Sequence, residues 1–116
     1  MRVAILSDIH GNLPALNAVL DDAVSKKIKT FWCAGDVVGY GPWPVQCWAA
    51  LQKLDIAKNA WVVGNHDLGL VDRLDGGQYF RGEYFNEEAK TILDHHRQAC
   101  LDYPEIFEQI KQIQII

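Results

Sequence analysis

With 116 residues, 49% of them apolar, and a net charge of −4, the chain has the size and make-up of one soluble globular domain. The acidic balance and the lack of a Lys/Arg cluster exclude a broad phosphate-backbone surface, so no extended nucleic-acid partner is expected. The first apolar run meets Ser7-Asp8 too early for a signal peptide or membrane span, and Cys33, Cys47 and Cys100 lack metal-ribbon or thioredoxin spacing. Buried, reduced thiols in a cytoplasmic protein away from any membrane are the expectation.

Arg2 to Leu6 is apolar without alternation and predicts a strand covered on both faces. Pro14 suits the first turn of a helix, along which Leu13, Leu16, Val19, Leu20, Ala23 and Val24 recur at three- and four-residue steps. Lys26 and Lys27 fall at its C-terminal end, where the helix dipole favours cations. Thr30 to Ala34 predicts a second strand. Gly39, Gly41, Pro42 and Pro44 mark a loop, and Val45 to Leu54 a helix with one apolar side. Ala60 to Val63 predicts a third strand, with Trp32 and Trp61 as core residues of the second and third. A short Leu68 to Leu74 segment leads to a surface loop at Asp75-Gly76-Gly77. Asn86 is placed to cap a helix whose apolar stripe is Ala89, Ile92, Leu93, His96, Ala99 and Cys100 and which stops before Pro104. Ile106, Phe107, Ile110 and Ile113 indicate one more helix, and the chain ends on the apolar Ile113-Gln114-Ile115-Ile116.

Three polar clusters each close an apolar run: Asp8 with His10, Asp36 between Gly35 and Gly39, and Asn65-His66-Asp67 behind Gly64. Asp8 and Asp36 are 28 residues apart, and Asp36 and Asn65 are 29 apart. That is about one strand-helix-strand repeat, so equivalent ends of three parallel strands would bring the clusters together. Carboxylate plus imidazole suits Mn, Fe or Zn better than Mg or Ca, which prefer oxygen shells. Asp36 has two oxygens with which to bridge two metals about 3.5–4 Å apart. Asn65 offers a carbonyl oxygen, His66 a proton or hydrogen bond to a leaving group, and Asp67 a carboxylate to orient that imidazole. Each residue alone has a structural alternative: Asp8 and Asp36 as turn formers, Asn65 as a helix cap, His66 as a hydrogen-bonded histidine. The three clusters at this spacing outweigh those alternatives. His95 and His96 point about 100° apart on a helix and cannot both face one metal, so packed or solvated roles are expected for them. Trp43 and Tyr40, in the loop after Asp36, read as ordinary loop packing, with Trp43 also able to stack on a substrate base.

The stretches Ser7-Asp8-Ile9-His10-Gly11-Asn12, Gly35-Asp36-Val37-Val38-Gly39-Tyr40-Gly41-Pro42 and Gly64-Asn65-His66-Asp67 resemble motifs of the calcineurin-like metallophosphoesterase superfamily, nearest its small prokaryotic phosphoesterase branch. The resemblance implies an α/β fold: the N-terminal part of a metallophosphoesterase-type sandwich, a mainly parallel β-α-β-α-β sheet flanked by helices. It also implies metal-dependent hydrolysis of a phosphomonoester or phosphodiester at a dinuclear centre. There Asp8, His10 and Asp36 surround the first metal, Asp36 and Asn65 hold the second, and a metal-bridging hydroxide attacks phosphorus in line with His66 beside the substrate.

Family members continue into a further His and a Gly-His-x-His motif, which complete both metal shells and supply strands of a second sheet; neither motif occurs in this sequence. The expectation is therefore a single domain over 1–116 that lacks the C-terminal sheet strands, holds at most one metal well, and has impaired catalysis. A second copy or a partner is expected over the missing half. The rival expectation is a catalytically inactive binding or scaffold protein on the same fold. A doubly wound nucleotide-binding domain fits less well, because Asp8 puts negative charge where a phosphate would need backbone amides.

Overall fold

Two parallel strands, β1 (Val3–Leu6) and β2 (Thr30–Cys33), pair in register from Val3 opposite Thr30 to Leu6 opposite Cys33 in the computed structural model, which describes residues 2–74 and 86–113. Helix α1 (Leu13–Ser25) makes the crossover between them, as parallel strands require. Its start is written locally: the Asn12 side chain accepts a 3.1 Å hydrogen bond from the Ala15 amide, and Pro14 sits where no amide partner is needed. Helix α2 (Pro44–Gln52) begins on Pro44, which the sequence had placed in the preceding loop. The remaining helices are α3 (Asn65–Leu74), α4 (Glu87–Cys100) and α5 (Pro104–Gln112). Asn86 caps α4 as expected, accepting from the Ala89 amide at 2.8 Å.

The helices pack chiefly on one another, α3 against α4 and α5, α2 against α1 and α4. Leu51, Leu70, Leu93 and Ile110 are fully or almost fully buried between them. Cys33, Cys47 and Cys100 lie free in this interior, their thiols pushed up to about 11 by burial, which keeps them uncharged and unreactive.

Three expectations about the sheet are corrected. The third strand shrinks to one parallel bridge between Trp61 and Cys33, with the Val62 amide bonded to the Cys33 carbonyl at 2.9 Å. A 3₁₀ turn over Lys58–Ala60 precedes that point and Gly64 packs onto Gly35 and Asp36 just after it, so only a short extended stretch remains. The apolar strands are also covered on one face only: Leu6, Phe31 and Cys33 are buried, while Ile5 is 65% and Trp32 45% exposed. Trp32 is thus a surface residue, whereas Trp61 is core as expected. Alternation in a strand divides the two tryptophans, not their hydrophobicity.

The segment read as Leu68 to Leu74 is the C-terminal part of α3, which already starts at Asn65. The loop placed at Asp75-Gly76-Gly77 and the terminal residues 114–116 lie outside the described residues. Among the described residues no helix is long and apolar enough to cross a membrane.

Candidate metal centre

Where β1 and β2 stop being strands, their continuations stay paired. The Asp8 amide donates to the Gly35 carbonyl at 3.0 Å, His10 to Asp36 at 2.9 Å and Gly11 to Val37 at 2.8 Å. Along this zipper both segments leave the extended conformation of the strands. Asp8, His10 and Asp36 all take left-handed conformations, with φ of 55°, 47° and 56°. Each such non-glycine residue costs about 1–2 kcal/mol, so the strain gathered here must be held by the surrounding bonds.

The result is convergence. Asp8, His10 and Asp36 each direct one ligand atom into a group whose members all lie within 4.8 Å of one another. The His10 Nδ1–H donates to the Val38 carbonyl at 2.8 Å, which leaves the Nε2 lone pair facing Asp8 Oδ1 at 3.5 Å. Fixing one ring nitrogen on a backbone carbonyl is how a protein presents the other to a cation. Asp36 is held by one oxygen, Oδ1, which accepts from the His66 amide in the first turn of α3 at 2.9 Å, where the helix dipole favours a carboxylate. Opposite ligands on an ion with bonds of about 2.1 Å stand roughly 4.2 Å apart, and the exposed Asp8 side chain has room to close that small gap. The donor set therefore fits one divalent cation.

The third cluster arrives with α3. Asn65 is its exposed first residue, next to the His66 whose amide grips Asp36. His66 is buried, its ring centroid 4.7 Å from that of His10 and 4.9 Å from that of Tyr40, and Tyr40 lies 5.1 Å from His10. Burial holds the His66 pKa below its ordinary value, opposed by Asp36; His10 lowers it further and Asp8 raises it. Gly39 is required here, because a Cβ on it would stand 2.5 Å from His66 Nδ1 at a φ of +94°. A Cβ on Gly64 would likewise overlap the Asp36 carboxylate.

Asp67 departs from the role expected for it. Its fully buried carboxylate accepts four backbone amides: Asp36 at 2.8 Å and Gly64 at 3.0 Å on Oδ2, Val37 at 3.0 Å and Val38 at 3.2 Å on Oδ1. Two bonds to each oxygen fill its accepting capacity, so Asp67 frames the Asp36 loop and is not the orienter of His66. Burial pushes its carboxyl up to about 6, against the pull of those amides.

His96 is the residue for which the sequence suggested only a packed or solvated role. It is buried in α4, its Nδ1 accepts the Gly39 amide at 3.0 Å, and its Nε2 meets the Gly41 carbonyl at 2.6 Å. The available signal was a polar residue at a core position of an otherwise apolar stripe, which demands buried partners. His95 is exposed, as expected of a solvated histidine.

A protein of Methanocaldococcus jannaschii described as uncharacterised is 46% identical over 71 residues, covering 61% of this chain and 28% of its own length. A symmetrical bis(5'-nucleosyl)-tetraphosphatase of Psychromonas ingrahamii is 41% identical over 73 residues, covering 61% of this chain and 26% of its own. The crystal structure of a metallophosphoesterase from Sphaerobacter thermophilus superposes with a TM-score of 0.73 and 32% identity, over 98% of this chain and 41% of that one. The chain thus spans less than half the length of each of these relatives. The family profile described as calcineurin-like phosphoesterase matches residues 1–115, and by that match this chain belongs to the calcineurin-like phosphoesterases.

Proposed function

We propose that the chain carries the N-terminal metal-binding half of a phosphoesterase site and hydrolyses a small phosphomonoester or phosphodiester when a divalent cation is bound. The observation that carries this reading is the meeting of Asp8, His10 and Asp36 ligand atoms within 4.8 Å at the ends of two adjacent parallel strands. When bound, a cation such as Mn, Fe or Zn supplies Lewis-acid charge stabilisation at phosphorus and a nucleophile near neutral pH. The protein's own part is to hold that cation by Asp8, His10 and Asp36, to offer Asn65 toward a second one, and to keep His66 beside the leaving group. Asp67 acts indirectly by fixing the loop from Asp36 to Val38.

The relative named as a symmetrical bis(5'-nucleosyl)-tetraphosphatase makes a dinucleoside polyphosphate the first natural substrate class to assay. The direct test is hydrolysis of a chromogenic phosphate ester with added Mn²⁺ by the wild type and by Asp36→Asn. A wild-type rate at least tenfold above the variant supports the reading; equal rates remove it. The outward-facing Ile5 and Trp32 favour a second reading, a binding or scaffold protein that docks on this sheet face. It predicts cation binding without turnover.

A further inference from the structure

We propose that His96 is a positioning residue of the site, a buried clamp that holds Tyr40 in place against His10 and His66. Resting on the hydrolase reading above, the proposal assigns to helix α4 a part in the chemistry at the strand ends. The imidazole brackets a single residue: Nδ1 accepts the amide of Gly39, just before Tyr40, and Nε2 meets the carbonyl of Gly41, just after it. An acceptor on one side and a donor on the other require the ring protonated on Nε2 alone, and burial favours such a neutral ring.

What is clamped is strained. Tyr40 has a φ of 61°, a conformation that a bulky side chain adopts only where its surroundings enforce it. The same short loop supports His10 twice more, since the Gly41 amide donates to the His10 carbonyl at 2.7 Å and the Val38 carbonyl accepts from His10 Nδ1. Asp67 secures the first half of the loop, at Asp36, Val37 and Val38, and His96 secures the second, at Gly39 and Gly41. Tyr40 ends half exposed with its ring on both site histidines. Without His96, the loop would lose its side-chain hydrogen bonds at Gly39 and Gly41, and Tyr40 would be released to relax toward an ordinary backbone conformation.

The test compares wild type, His96→Leu and His96→Gln by side-chain spectra of Tyr40 in the cation-free protein, Mn²⁺ titration calorimetry, and turnover of a chromogenic phosphate ester. Expected are ring-current-shifted Tyr40 resonances in the wild type and their loss in His96→Leu, with Mn²⁺ affinity and kcat/KM down about 10–100-fold. His96→Gln, which keeps one donor and one acceptor, is expected to restore most of each. Unchanged Tyr40 resonances and Mn²⁺ affinity in His96→Leu overturn the clamp, as does a glutamine variant no better than leucine. If His96→Leu fails to melt cooperatively, His96→Gln alone decides: retained Tyr40 shifts support the clamp and their loss overturns it. If the wild type neither binds Mn²⁺ nor turns over, the hydrolase reading falls, and the Tyr40 spectra still decide whether His96 positions that ring.

Discussion

The loop over residues 35–41 and the outer face of the two-stranded sheet lie side by side and are held in opposite ways. The loop is strained at Asp36 and Tyr40, and its backbone is gripped by two buried polar side chains, Asp67 and His96, that come from later helices. The sheet face carries Ile5 and Trp32 turned outward, with relaxed extended backbone and its bonds made strand to strand. Directional bonds from a buried frame specify atom positions in the first region, as a cation site demands. Apolar area alone characterises the second, and area specifies that a surface be covered but not by what.

Asp67→Ala should break the contrast most severely, because it leaves four buried amides without their acceptor. A loss of about 3–5 kcal/mol is expected in urea unfolding, and a loss below about 1 kcal/mol would mean that the loop is held by something other than this carboxylate. Cation binding comes next. A divalent ion at a hundred times its Kd should stabilise the fold by about 2.7 kcal/mol, read as a rise in Tm that chelator reverses and Asp8→Asn abolishes. An equal shift in Asp8→Asn would put the ion elsewhere.

A smaller effect should follow pH. Burial holds the His96 pKa below its ordinary value, so the folded chain binds fewer protons here than the unfolded chain. The stability from the neutral ring is fully present above the unfolded pKa of about 6.5 and is lost as pH falls below it. His96→Gln is therefore expected to lose less stability than wild type between pH 7 and pH 5. A parallel decline in both proteins would show that other groups carry the acid sensitivity. The smallest change belongs to the other region: Ile5→Lys should alter stability by no more than about 0.5 kcal/mol while reducing any self-association seen by light scattering. Unfolding by this substitution would show that the outer face is covered after all.

Much of the site was legible because its motifs are local. Asp8 and His10 lie two residues apart just past a strand, and the interval to Asp36 matches a strand-helix-strand repeat, so their meeting follows from architecture that hydrophobic periodicity reveals. Asp67 was recognised as part of the site but given the wrong partner. Adjacency in sequence suggested His66, whereas the helical turn at Asn65 carries its carboxylate onto the Gly64 amide and onto three amides of a segment about thirty residues earlier. The third strand failed as an expectation for a related reason: a few apolar residues are compatible with a ladder, but the turn at Lys58–Ala60 and the packing of Gly64 leave room for one bridge.

By itself the sequence determined where most of the helices lie, the Pro14 and Asn86 signals at two of their starts, the order of the parallel segments and the residue types of the candidate cation site. These depend on periodicity, caps and spacing, which act over a few residues or one repeat. Only the tertiary structure decided that Trp32 faces outward while Trp61 is core, that Asp67 frames a loop, and that His96 spans Gly39 to Gly41. Each of these outcomes depends on which side chain meets which unpaired backbone group across distant segments, and long-range hydrogen bonds leave no periodic trace in the chain that makes them.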